Sequence, residues 1–106
     1  MLEVLYGRAL AYEFGLRYLS FKREVLCRVF YKEQPLGDYR IDFVVGDAIL
    51  VEIKALPQLT KMHYAQAYNY LVGTGLEVGL LLNFGTFSLE YKRLLCTESR
   101  MELKNL

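Results

Sequence analysis

The chain has 106 residues, 54% hydrophobic and 24% charged, with thirteen basic residues against twelve acidic for a net charge of +1. That length fits one domain, residues 1–106, with a modest core. The apolar content excludes a disordered chain, and the charge balance excludes an overall field that would draw in a polyanion. No apolar stretch approaches the ~20 residues of a membrane-spanning helix. Met1-Leu2-Glu3 carries no basic leader, so a cytoplasmic protein with no membrane association is expected.

Residues 1–14 read as a helix with Gly15 as its C-terminal cap. Residues 22–31 read as a strand, in which Cys27 alternates with Val25 and Val29 and is expected to be a core thiol. Cys27 and Cys96 lack a CxxC spacing. Residues 32–37 read as a turn, and 39–45 with 49–54 as a hairpin across Gly46-Asp47-Ala48. Residues 59–72 form a second helical pattern, closed by Gly73 and Gly75. These glycines follow a helix instead of opening one, which argues against a dinucleotide fingerprint. Residues 78–84 are a near-continuous apolar run, as in a strand buried on both faces. The preceding strand and helix then make a crossover to a parallel neighbour. Periodicity leaves residues 89–96 open between a helix and a last strand, and the polar stretch after position 97 is expected to be loose.

The hairpin register carries the chemistry. A three-residue loop sets Val45 opposite Ile49 and Asp42 opposite Glu52. Ile41, Phe43, Val45, Ile49, Val51 and Ile53 then share one apolar face. Asp42, Val44, Leu50 and Glu52 share the other, with Arg40 opposite Lys54 beyond them. A two-residue loop would slip the register and separate the two carboxylates. Opposed Cβ atoms lie about 5 Å apart, so the carboxylates repel unless a cation lies between them or one holds a proton. Carboxylates suit Mg²⁺, which polarises a phosphoryl oxygen and acidifies water. The Ile53 carbonyl is a further candidate ligand. Lys54, about 6–7 Å along the same face, is placed to orient water or to stabilise transition-state charge. A solvated strand face with cross-strand ion pairs is the alternative reading of these three residues alone.

On the second helix Leu59, Met62, His63, Gln66, Ala67 and Tyr70 share one arc, which is expected to meet the sheet. Gln66 and Tyr70 would then be partly buried groups that need partners, either at a site or in the backbone. His63, Arg40 and Lys61 flank the proposed site as candidate substrate contacts. Glu3 reads equally as a third acid near the metal or as a terminal surface charge.

Asp42, Glu52-Ile53-Lys54 and Gln66-Ala67-Tyr68-Asn69-Tyr70 resemble the motifs of PD-(D/E)xK nucleases, including the Gln-x-x-x-Tyr helix of recombination-type exonucleases. The chain from Leu2 to Leu95 also resembles the GxxExxY family of that superfamily. Its blocks are Leu2-Glu3-Val4-Leu5-Tyr6, Phe21-Lys22-Arg23-Glu24, Tyr39-Arg40-Ile41-Asp42, Val51-Glu52-Ile53-Lys54-Ala55 and Gly79-Leu80-Leu81-Leu82-Asn83-Phe84-Gly85. Ile41 stands where the superfamily name has proline. The resemblance implies an α/β fold, the restriction-endonuclease-like core α-β-β-β-α-β with a mixed sheet, and favours a strand at 89–96. It implies an Mg²⁺- or Mn²⁺-dependent nuclease acting on nucleic acid, with DNA the expected substrate. Asp42 and Glu52 would hold metal, Lys54 would assist catalysis, and Gln66 and Tyr70 would order the site. A silent nuclease-fold module that binds nucleic acid or a protein is the alternative. The chain begins inside the GxxExxY motif. A helix upstream of it would be missing, and either a homodimer through Leu2, Leu5, Tyr6, Ala9 and Tyr12 or a segment absent from this chain is expected to cover the exposed face.

Overall fold

A computed structural model of the chain describes residues 2–97, and the polar stretch after position 97 lies outside the described residues. The elements run α1 (Leu2–Leu16), β1 (Phe21–Tyr31), β2 (Gln34–Val45), β3 (Ile49–Lys54), α2 (Lys61–Thr74), β4 (Val78–Asn83) and β5 (Glu90–Leu95). The strands form one sheet in the order β1-β2-β3-β4-β5. The β3–β4 pair is parallel and the other pairs are antiparallel. Residues left open by periodicity thus become the last strand. The mixed α/β sheet, with helices on both faces, is the architecture the sequence motifs imply.

Two apolar clusters sandwich the sheet. Beneath α1, Tyr6, Leu10 and Phe14 pack on Phe43, Val51 and Ile53. Phe14, Phe21 and Phe43 meet edge-on or tilted at 5.4–5.8 Å, an arrangement that suits ring quadrupoles. Beneath α2, Tyr70 and Leu71 pack with Cys27, Ile41, Val44 and Leu50. Cys27 is a buried core thiol as expected, and Cys96 is buried and free as well.

Several local expectations are corrected. Gly15 lies inside α1, not at its end. The helix ends at Leu16 and is closed by Tyr18, φ 57°, where Leu19 N–H donates to Phe14 O at 2.9 Å and Tyr18 N–H to Gly15 O at 3.1 Å. That is a Schellman ending with tyrosine in the usual glycine place. The turn at 32–37 shrinks to Lys32 and Glu33, at φ 47° and 67°, because β1 and β2 continue as a long two-stranded ribbon. Pro35 is tolerated in that ribbon, where β2 has no β3 partner to receive an N–H. α2 runs through Gly73 and ends at Gly75, whose φ of 75° suits glycine. Leu59 is buried ahead of α2, and Met62 is 73% exposed, so the inward arc is Ala67, Tyr70 and Leu71.

Candidate functional site

The hairpin has the register expected from its odd loop, with Val45 paired to Ile49, Val44 to Leu50 and Phe43 to Val51. The ladder then stops, so Arg40 does not pair with Lys54. It pairs with Leu26 of β1 instead, and its guanidinium approaches Glu24 at 3.9 Å. The β1–β2 ladder also skips one rung, Glu24 opposite Asp42, and Glu24 has φ 51°. A left-handed glutamate is uncommon inside a strand, and here it breaks the alternation of both strands. Phe21 and Phe43 pack under α1, whereas Val25 and Ile41 pack under α2. Ile41 is therefore not on the Phe43 face, because the ribbon turns over at Asp42.

The missing rung frees Asp42 for other bonds. Its backbone N–H donates to Glu52 Oε1 at 3.3 Å, and its carboxylate Oδ2 accepts from Ile53 N–H at 2.7 Å. These side-chain bonds stand in for ladder bonds beyond Phe43 and Val51. Each carboxyl group thus accepts a backbone N–H from the other's strand, which brings the two side chains close together. Glu52 is only 5% exposed, and burial, followed by the charge of Asp42, pushes its carboxyl up to about 8. The Lys54 ammonium opposes that shift, but its effect is the smallest. The pair is thus short of positive charge. The Asp42 and Glu52 carboxyl groups are hard oxygen donors of the kind that suit a divalent cation such as Mg²⁺ or Mn²⁺.

Lys54 ends β3 on the α2 side, where its Nζ donates to Gln66 Oε1 at 3.2 Å. Gln66 is exposed and Tyr70 is buried, one helical turn further into the core. The Tyr70 ring lies 5.8 Å from that of Tyr39, tilted by 45°. Burial first, then the nearby Glu52 charge, pushes its hydroxyl up to about 12, so Tyr70 stays a neutral donor. Helix α2 thus brings Gln66 to Lys54, and Tyr70 within the electrostatic reach of Glu52, as their spacing implied.

The loop between Lys54 and α2 is held by a residue that sequence reading passed over. Asn83, fully buried, accepts from Leu56 N–H at 2.8 Å and Gly85 N–H at 3.1 Å. Its amide donates to Leu56 O at 2.9 Å and Glu90 Oε1 at 3.0 Å. The same Glu90 oxygen accepts from Leu59 N–H at 3.0 Å. A Cβ on Gly85 would lie 2.3 Å from Leu56 N, so only glycine admits this approach. The clue available in the sequence was a lone asparagine ending an apolar run.

The remaining candidates are more peripheral. A cavity of about 190 Å³ on the α1 side is lined by Glu3, Arg23, Glu24, Asp42 and Ile53 among others. Among the described residues no group of three Asp, Glu, His or Cys side chains could hold a metal, so Glu3 shares this cavity without completing a cluster. Arg23 and Glu24 were not singled out as site residues, although the Phe21-Lys22-Arg23-Glu24 block contains them. The Arg23 guanidinium lies 5.2 Å from the Phe43 ring centroid. His63 is used locally, because its Nδ1 accepts from Thr60 N–H at 2.9 Å and caps α2. Lys61 is exposed in the first turn of α2. No helix among the described residues is long and apolar enough to cross a membrane.

Comparison with known proteins gives this geometry a context. The family model described as PD-(D/E)XK nuclease superfamily matches residues 1–94. No curated protein matches significantly in sequence. Among solved structures, the alkaline exonuclease LHK-Exo of Laribacter hongkongensis superposes with a TM-score of 0.62 at 15% identity, covering 95% of this chain and 59% of that one. The protein SSO0001 superposes with a TM-score of 0.66 at 18% identity, covering 97% of this chain and 55% of that one. The chain therefore spans little more than half the length of either neighbour.

Proposed function

The chain belongs to the PD-(D/E)XK nuclease superfamily, and from that membership and the site geometry we propose that it is a metal-dependent nuclease that hydrolyses phosphodiester bonds, with DNA as its substrate. The observation that carries this reading is the crossed bonding of two carboxyl groups at a break in the sheet, where Glu52 Oε1 accepts from Asp42 N–H and Asp42 Oδ2 from Ile53 N–H, with the Lys54–Gln66 pair at the end of the same strand. Asp42, Glu52 and the Ile53 carbonyl would hold Mg²⁺ or Mn²⁺. When bound, such an ion supplies Lewis acidity toward a phosphoryl oxygen and lowers the pKa of water.

The chain's own residues do the rest. Gln66 fixes the Lys54 ammonium, which stabilises charge on the phosphoryl oxygens as water attacks and the P–O bond breaks. Tyr70 stays protonated and donates. Arg23, Arg40 and Lys61 offer cations to neighbouring phosphates. His63 keeps the start of α2 in place, and Glu3 borders the cavity that Asp42 also lines. We further propose a cytoplasmic protein that self-associates through the outward face of α1, where Val4, Leu5, Tyr12 and Leu16 are exposed. Tyr6 has no part in that face, because it stacks on Phe84 at 4.6 Å.

The test is cleavage of labelled single- and double-stranded DNA, with and without Mn²⁺. Metal-dependent cleavage that is lost in Asp42→Asn supports the reading. Intact substrate under all conditions, with a folded protein, returns the chain to a silent binding module.

A further inference from the structure

A second concavity adjoins the site on the α2 side. It is a groove of about 280 Å³ between the β1–β2 ribbon and α2, walled by Val29 and Tyr39 on one side and by Met62, Gln66, Asn69 and Tyr70 on the other. Gln66 belongs to both places, because its Oε1 accepts from Lys54 Nζ at 3.2 Å. An occupant of the groove therefore lies one side chain away from the proposed catalytic ammonium.

The lining has a definite chemical character. The lining contains no Lys, Arg, Asp or Glu, so the groove offers no cation to a phosphate. It does offer ring faces, since Tyr39 is 45% exposed and tilts by 45° against the buried Tyr70. It offers amides as well, from Gln66 and Asn69, both exposed and three residues apart on one face of α2. Met62 adds an exposed, polarizable thioether. Aromatic faces beside amide donors and acceptors match the uncharged part of a nucleotide. A base inside a duplex is covered on both faces and along its pairing edge, and cannot enter.

We propose that this groove takes an unpaired nucleobase of the substrate strand, next to a phosphate at the Lys54 ammonium, so that the protein acts on single-stranded nucleic acid. The base stacks on Tyr39, and Gln66 and Asn69 meet its polar edge. The placement of the phosphate rests on the nuclease reading above, whereas the base-binding groove is testable without it.

The chain contains no tryptophan, so Tyr39→Trp installs a single reporter in the groove wall. The variant of the 106-residue chain is titrated without metal with oligothymidylate, with oligouridylate, and with a DNA duplex closed by hairpins at both ends. Tryptophan emission should be quenched by the single strands and not by the closed duplex. The thymidylate and uridylate arms separate DNA from RNA as the source of the base. In a parallel anisotropy titration, Tyr39→Ala should bind the preferred single strand about tenfold or more weakly, and Tyr39→Phe within about twofold of the parent. Absence of quenching, equal quenching by the closed duplex, or unchanged binding by Tyr39→Ala overturns the proposal. Cleavage assays on the parent chain keep the two readings apart. Mn²⁺-dependent cleavage with a silent groove removes only the groove, and quenching without cleavage removes only the nuclease.

Discussion

Replacing Glu52 with glutamine should make the metal-free protein more stable at pH 8 while abolishing its proposed activity. Glu52 is 5% exposed and touches Asp42, and its carboxyl titrates near 8 against an ordinary value of 4.5. Below the ordinary value both folded and unfolded chains hold the proton, so the favourable contribution is complete. Above it the unfolded chain releases the proton first and the folded chain retains it. Stability therefore falls as pH rises, by at most about 1.4 kcal/mol per pH unit, until the folded carboxyl ionises near 8. Across that window the loss reaches about 3–5 kcal/mol as an upper bound. Glutamine has the same shape, can accept the Asp42 N–H and can donate to the Asp42 carboxylate, and it carries no charge. Denaturant unfolding in EDTA at pH 5.5 and pH 8 measures the difference. The parent should weaken between the two pH values, and the Gln variant should not share that slope. At pH 8 the variant should melt higher by at least about 4 °C. Mn²⁺ should stabilise the parent at pH 8 and leave the variant nearly unchanged. A variant that is no more stable than the parent at pH 8, with the same pH slope, would refute the buried-carboxylate argument.

Other substitutions address the remaining parts. Asp42→Asn should weaken Mn²⁺ binding, read by calorimetric titration, by at least the ~10-fold that losing an outer-shell partner typically costs; unchanged affinity would remove Asp42 from the ligand set. Lys54→Ala should reduce cleavage by about 10²-fold or more while shifting stability by less than about 0.5 kcal/mol; full activity would return Lys54 to a surface charge. Asn83→Ala should cost about 3 kcal/mol or more in denaturant unfolding, because it strands the Leu56 and Gly85 amides and the Leu56 carbonyl; a shift within error would mean that water replaces the amide. Light scattering at high micromolar concentration should give a dimer mass, and a monomer there counts against the outward face of α1 as an interface.

Much of the site was legible because two local rules agreed. An odd hairpin loop and a charge-free face both demanded Val45 opposite Ile49, and the structure has that pairing. Gln66 and Tyr70 followed from helical spacing once the strand end at Lys54 was placed. What could not be read were departures from regular backbone. Strict alternation put Ile41 with Phe43, but a glutamate at φ 51° turns the ribbon over between them. Glycine was the expected end of α1, yet Tyr18 occupies the left-handed position. Met62 fits the helical stripe and still faces solvent, because the buried residues of α2 are Ala67, Tyr70 and Leu71, further along the helix. Asn83 closes an apolar strand, and two of its four bonds go to a loop that folds back from 27 residues earlier.

The β1–β2 ribbon extends well past its attachment to the sheet. β2 begins at Gln34, but its pairing with β3 is confined to Phe43, Val44 and Val45. Two strands alone are marginal in water, so the outer ribbon can fray while the five-stranded body stays folded. Tyr39 stands on that ribbon and Tyr70 on the body. Fraying of the ribbon and loss of one groove wall are thus a single event. Ile41 and Cys27 are held in the core beneath α2, so the ribbon is anchored past Asp42, and the Cys27–Tyr39 rung is the seam beyond which it can fray.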